Sequence, residues 1–387
     1  MNALPRIAAA LLAASVTLVS VACGTVPPPV SGHPSAPVDR AGALVHAGPM
    51  DSDPQYTATD VRAQSYRYRS VTPAGDLIDV EARLYLPQGH APPGGWPLAA
   101  YAHGTTGVIQ SCAPTGSDPL IAELLSRGVA VAATNYQGLG GPGRHPYLDS
   151  GSQARDVLYA ARAARAARDD LSNRIVLVGL SQGGRASEAA ASLTELTPEL
   201  HILGNAMASP ALRLDFVAGI ENKTLTAVQL GILPFIVYGA QQHYPAFQYS
   251  SVLRGELLKD APAIANTCAS EIVTKFASLL GQVTAADTQF VSEAAKTDLA
   301  KYLADGNLPW RAHTSIPVMI TRGDHDSLVS TQWTDVAVKA MCAAHTTLYD
   351  QLRPGDHTDH PEIDIARVGS WVADRFARKL APDNCPR

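Results

Sequence analysis

The sequence predicts an α/β fold in which a doubly wound, mostly parallel sheet is interrupted by an inserted helical cap. Three observations predict it. Short apolar runs alternate with helical stretches in a β-α-β-α order, the pattern of a sheet covered on both faces. One such run, residues 175–178, opens through Gly179-Leu180-Ser181-Gln182-Gly183 into an alanine-rich helical segment. Residues 213–313 then lose the strand pattern and read as helices.

Composition sets the bounds. The 387 residues are 46% hydrophobic and 17% charged, with a net charge of −5, which suits one large domain carrying an insertion. The scattered lysines and arginines exclude a nucleic-acid-binding surface. Arg162, Arg165 and Arg168 at helical spacing read as a solvated helix face.

The N-terminus stands apart from the fold. Arg6 and the apolar run that ends in Ser20-Val21-Ala22-Cys23 read as a lipoprotein-type signal over residues 1–22. Cys23 would become the lipidated first residue and give the protein a membrane anchor. Ser20 stands where such signals usually carry Leu, so an ordinary cleaved signal or a retained anchor is the alternative. Each places the mature protein outside the cytoplasm. Residues 23–55, rich in Pro, Ser and Gly, are expected to form a tether with no core of its own. Setting Cys23 aside leaves Cys112, Cys268, Cys342 and Cys385, an even number that implies two disulfides with three connectivities open. There is no C-x-x-C pair to suggest structural zinc, and no further stretch is long enough for a second membrane span.

The first part of the core spans residues 56–212. Residues 64–70 and 79–86 read as a strand pair about Thr72-Pro73-Ala74-Gly75. The apolar run 96–102 ends in His103-Gly104-Thr105-Thr106-Gly107. A helix over 119–127 leads to a strand over 129–134 and the loop Asn135-Tyr136-Gln137-Gly138-Leu139-Gly140, which lacks any nucleotide-binding pattern. A helix over 152–168 precedes the strand of the serine motif, and 201–208 gives another strand. In the cap, residues 213–313, the apolar stretch 230–238 would line an acyl pocket or simply pack on the core. The sequon at Asn222-Lys223-Thr224 carries little weight beside a bacterial-type signal. The second part of the core, residues 314–387, offers strands at 316–321 and 346–349 and a closing helix over 363–380.

The chemistry follows from the serine motif. G-x-S-x-G between a strand and a helix is the nucleophile elbow of α/β-hydrolases, and side chains at Gly179 or Gly183 would crowd its turn. Ser181 is therefore the expected nucleophile. Asp326, after the strand over 316–321, is the expected acid; Asp324 competes and reads better as a loop stabiliser. His357, after the last strand, is the expected base, with His360 as the alternative. The backbone N–H groups of Thr105 and Gln182 are the expected oxyanion donors, and His103 reads as a loop anchor. Asp356, His357, Asp359, His360 and Glu362 are metal-ligand types, but acid-rich loops are ordinarily just solvated, and no metal is expected.

Ser111-Cys112-Ala113-Pro114, Tyr136-Gln137-Gly138-Leu139-Gly140, His145-Pro146-Tyr147 and Gly179-Leu180-Ser181-Gln182-Gly183-Gly184 together resemble the secretory lipase family (lipase A-like). The resemblance runs from about Tyr66 to the C-terminus and is most specific between Tyr101 and Pro210. It implies a helical cap before the acid-bearing strand and hydrolysis of carboxylic esters, often lipid or fatty-acyl, without metal or organic cofactor. It also implies the pairs Cys112–Cys268 and Cys342–Cys385. Some family members carry an acidic residue in the loop where His103-Gly104-Thr105 stands here. The expected protein is an extracytoplasmic serine carboxylesterase or lipase with a small ester or lipid as its partner. The alternatives are an esterase for acylated polysaccharide, feruloyl or other cell-envelope esters, and a lipid-binding lipoprotein without turnover.

Overall fold

The computed structural model describes residues 40–52, 61–115, 117–304, 315–359 and 362–386. The expected signal and Cys23 lie outside them. A nine-stranded sheet is built from β1 (Leu44–Ser52), β2 (Arg62–Val71), β3 (Leu77–Leu86), β4 (Trp96–Ala102), β5 (Ala130–Thr134), β6 (Leu171–Leu180), β7 (His201–Ala208), β8 (Val318–Gly323) and β9 (Leu348–Arg353). Its order is β1-β2-β3-β5-β4-β6-β7-β8-β9. The pairs β1–β2, β2–β3 and β3–β5 are antiparallel, and every pair from β5 through β4 to β9 is parallel.

The core helices are α1 (Pro119–Ser126), α2 (Ser150–Ala167) and α3 (Gln182–Ala191), followed after the cap by α10 (Thr331–Ala343) and α11 (Glu362–Phe376). The central strands are apolar at consecutive positions because both faces are covered. Leu98, Ala100, Ala102, Ile175 and Leu177 pack toward α2 and α3. Ala99, Tyr101, Val176 and Val178 pack toward α1 and α11. The chain leaves β4 for β5 on one side and later places β6 on the other. The crevice outside the carboxyl ends of β4 and β6 is thus a topological switch point, where ligands bind in open α/β sheets.

Two sequence expectations change. The tether expected over 23–55 includes β1, which pairs with β2 through two register shifts. Its Gly48 and Pro49 obscured the strand; proline is tolerated there because β1 is the sheet's edge. Arg162 of α2 and Arg168 at its C-cap are partnered rather than merely solvated. Arg162 makes a two-pronged pair with Glu199 and donates to the Leu196 carbonyl, and Arg168 pairs with Asp170.

Between β7 and β8 lie α4 (Phe216–Asn222), α5 (Ala227–Ala240), α6 (Gly255–Ala265), α7 (Ala269–Lys275), α8 (Ala277–Leu280) and α9 (Glu293–Ala304). They enclose their own apolar core. Leu230, Leu233, Phe235, Ile236 and Val237 of α5 are all fully buried in it, so packing consumes most of the apolar stretch 230–238. Cys112 and Cys268 form a disulfide (S–S 2.08 Å) between the loop after β4 and the start of α7. Cys342 and Cys385 form another that ties α10 to the C-terminal tail.

Two polar links also join cap to core. Arg185 of α3 is fully buried and donates to the carbonyls of Leu148, Leu212 and, in the cap, Leu303. Burial pulls its guanidinium down to about 10, which still leaves it charged at neutral pH. His243, just past α5, donates from Nε2 to the Asp149 carboxylate (2.7 Å), and that hydrogen bond raises the imidazole above its ordinary value.

Below the elbow, α3 meets β7 through Glu188 and Asn205, both fully buried. The Asn205 amide donates to Glu188 Oε2 (2.8 Å), while Glu188 Oε1 and Asn205 Oδ1 have no partner among the described residues. A proton on the carboxyl supplies the one donor that this pair of acceptors lacks. Burial accordingly pushes Glu188 from 4.5 up to about 7. The folded state then holds the proton more tightly than the unfolded state, so stability falls as pH rises from about 4.5 through 7. Glu188→Gln should stabilise the protein at pH 9 by an amount on the order of 3 kcal/mol, seen as a raised melting temperature, and change little at pH 4. Asp156, also pushed up by burial to about 7, is present in both proteins and drops out of the difference. Equal melting temperatures at pH 9 would refute a protonated Glu188.

Candidate active site

β6 delivers Leu180 to the top of the sheet, and Ser181 turns the chain into α3 with φ 52° and ψ −113°. Such backbone is costly for a residue with a Cβ and must be held by its surroundings. The Ser181 N–H donates to the Ala208 carbonyl (2.9 Å), and its own carbonyl accepts from Gly184 (2.9 Å) and Ala211 (3.0 Å). The flanking glycines allow the close approach. A Cβ on Gly183 would lie well under 3.0 Å from the Ala102 carbonyl at the end of β4, and one on Gly179 would collide with the Gly183 carbonyl.

Two loops from the far side of the cap insertion converge on this serine. His357 Nε2 is 2.8 Å from Ser181 Oγ, and His357 Nδ1 is 2.7 Å from Asp326 Oδ2. The carboxylate can only accept, so Nδ1 carries the proton and Nε2 offers its lone pair to the serine hydroxyl. The second oxygen of Asp326 accepts from the Leu328 (3.0 Å) and Val329 (2.7 Å) amides. Asp326 and His357 are buried, and Ser181 is half-buried. His360 lies outside the described residues.

Two further carboxylates brace these loops against each other. Asp324 accepts from the Gly355 amide (3.0 Å), joining the end of β8 to the histidine loop as a stabilising residue. Asp356, in sequence only one member of an acidic cluster, accepts from the Ser327 amide (2.7 Å) and from the His357 amide (2.6 Å). Desolvation works against its charge, but these donors outweigh it and hold the carboxyl below its ordinary range. Among the described residues no group of three or more His, Cys, Asp or Glu is placed to hold a metal ion.

On the opposite side of the serine, Gln182 is the first residue of α3, so its N–H has no acceptor within the helix. Thr105 sits in the loop after β4, whose last residue Ala102 is in register with Gly179. His103 keeps to this loop. Its Nδ1 lies 2.6 Å from the Gly104 carbonyl, its ring packs on Tyr136, and burial lowers its basicity. Two residues whose part the sequence did not reveal also reach the loop and the elbow. His145 Nε2 is 2.9 Å from Gln182 Nε2, and the Tyr147 hydroxyl is 2.9 Å from Thr105 Oγ1.

The model of the secretory lipase family matches residues 110–384. Among solved structures the chain is similar to the rice cell wall degrading esterase LipA from Xanthomonas oryzae, with a TM-score of 0.70 and 20% identity, over 87% of this chain and 99% of that one. It is similar to Candida antarctica lipase A, with a TM-score of 0.70 and 16% identity, over 89% and 84%. No curated protein matches. These likenesses show the α/β-hydrolase fold.

The elbow's close packing is directly testable. Gly183→Ala should cost about 4 kcal/mol or more, because the Cβ meets backbone that cannot yield. Gly141→Ala, whose Cβ would meet only ordinary contacts beyond 3.4 Å, is the control and should cost about 1 kcal/mol or less. Urea unfolding of the two variants side by side checks this; equal losses would remove the steric account of the elbow.

Proposed function

We propose that this chain, which belongs to the secretory lipase family and is a hydrolase of the lipase/esterase class, works outside the cytoplasm as a serine carboxylester hydrolase on lipid or fatty-acyl esters. The observation that carries the reading is the relay of 2.8 and 2.7 Å from Ser181 through His357 to Asp326. A binding module has no use for such a relay.

In this reading Ser181 Oγ attacks the ester carbonyl carbon as its proton passes to His357 Nε2. Asp326 holds the imidazole in the tautomer that leaves Nε2 free and stabilises the imidazolium once formed. The negative charge on the former carbonyl oxygen falls to the amides of Gln182 and Thr105. Collapse expels the alcohol, protonated by His357, and leaves an acyl-serine. Water then attacks the acyl carbon as its proton passes to His357 Nε2, and collapse breaks the bond to Ser181 Oγ, releasing the carboxylic acid while His357 hands that proton back to the serine.

The family and the two disulfides fit an extracellular protein. Lipid attachment at Cys23 extends that reading to the membrane surface. Among the described residues no helix is long and apolar enough to cross a membrane. A second reading directs the same triad to cell-wall or cell-envelope esters, and the likeness to the rice cell wall degrading esterase favours keeping it.

Nitrophenol release from a chain-length series of acyl esters separates these readings. Ser181→Ala and His357→Ala should each lower kcat by about 10⁴-fold or more. Activity rising toward long acyl chains supports lipid substrates, whereas a short-chain optimum favours the envelope reading. Wild-type inactivity on every ester, or an equally active Ser181→Ala, would end the enzymatic reading; a fully active His357→Ala would pass the base to His360. For the anchor, a radiolabelled lipid precursor should mark the wild type and not Cys23→Ala. An unlabelled wild type would reject it.

A further inference from the structure

The loop between β5 and α2 carries a tripeptide that touches both proposed oxyanion residues. His145 is fully buried, and its Nδ1 lies 3.0 Å from the Gln137 carbonyl. That carbonyl can only accept, so Nδ1 bears the proton and Nε2 must accept from the Gln182 amide at 2.9 Å. Burial holds the imidazole far below its usual range, at about 3, which keeps this tautomer neutral. Two residues on, the Tyr147 hydroxyl meets Thr105 Oγ1 at 2.9 Å. One short loop thus grips the side chain on each side of the place where the oxyanion would form.

The same tripeptide is held from above by the cap. The His145 carbonyl accepts from Gln242 Nε2 at 2.8 Å, and the Tyr147 carbonyl accepts from the Tyr302 hydroxyl of α9. The Tyr147 ring packs edge-on against Phe235 of α5. Thr105 sits in a coil between Gly104 and Gly107, and Gln182 is the first residue of its helix.

We propose that His145 and Tyr147 are positioning residues that set the two oxyanion amides through the side chains of Gln182 and Thr105, and that the cap holds this clamp in place. The proposal rests on the hydrolase reading above. It assigns the cap a task besides covering the site: cap contacts reach the oxyanion donors through a single loop. Oxyanion donors act by being aimed beforehand at charge that develops only in the transition state. A loosened clamp therefore lowers kcat and leaves substrate affinity unchanged.

The test uses the full chain, p-nitrophenyl butyrate as substrate and butaneboronic acid as an inhibitor that forms a tetrahedral serine adduct. Tyr147→Phe and Thr105→Val each remove one hydroxyl and keep the packing. Each should lower kcat about tenfold, leave KM within about twofold, and raise the inhibitor constant by the same factor as kcat falls. The double variant should lose no more than either single one, since both break the same contact. His145→Leu should behave likewise, with His145→Gln recovering part of kcat by returning an acceptor to Gln182. Where His145→Leu does not fold, the two hydroxyl variants decide. Single variants with wild-type kcat, or losses that multiply in the double variant, overturn the clamp. So does a loss of kcat that tracks a fall in melting temperature with the inhibitor constant unchanged. Ser181→Ala runs beside them: if it stays active, the hydrolase reading itself fails, whereas an inert Ser181→Ala with wild-type-like Tyr147→Phe removes the clamp alone.

Discussion

Much of the structure depends on one close approach, that of the backbone at Gly183 to the end of β4. Strand order makes β4 and β6 neighbours, and the absence of a Cβ lets the first turn of α3 settle against the Ala102 carbonyl. This brings the amide of Gln182 beside the loop that carries Thr105. The serine's positive φ follows from the same need, because the chain must reverse from strand to helix within a single residue. A bulkier neighbour would separate the nucleophile from the donors proposed to serve it, whatever became of the histidine.

The cap is a second core rather than a flap of loose chain. Its helices bury their apolar residues against one another, and specific ties hold it to the core, among them a disulfide, the Arg185 carbonyl cluster, the Asp149–His243 pair, the loop around His145 and the bonds of Thr226 and Gln229 to the Ser327 and Leu328 carbonyls. Arg185 is the least expected. The buried guanidinium hydrogen-bonds to carbonyls, with the Asp149 charge acting on it from beyond them, and its donors satisfy backbone oxygens from three separate segments that water cannot reach. The elbow helix thereby fixes the cap from beneath.

The elbow, the alternation of strands and helices and the helical insertion were all legible in the sequence because each obeys a local rule of period or sterics. So were Asp326 and His357, which follow strand ends in the order that the fold imposes. Loop geometry beyond the last strand has no local signature, so the sequence leaves His360, outside the described residues, as the alternative to His357 for the proposed base. β1 hid behind Gly48 and Pro49, residues that an edge strand tolerates and a central one does not. Asp356, His145 and Tyr147 escaped for a different reason. Each acts on a residue supplied by another loop, and nothing in its own neighbourhood marks the encounter. The disulfide partners, likewise, could be assigned from the resemblance and not from the spacing of the cysteines.

The placing of the site residues along the chain has a consequence for how the protein is made. The proposed nucleophile precedes the entire cap, while its proposed acid and base follow it, in the loops after β8 and β9, the last two strands along the chain. A ribosome therefore releases Ser181 long before either partner exists. Under the proposed reading, a chain that ends before β9 holds Ser181 with no base to deprotonate it. Under the same reading, hydrolytic competence arrives only once the segments that follow the cap have docked on the sheet.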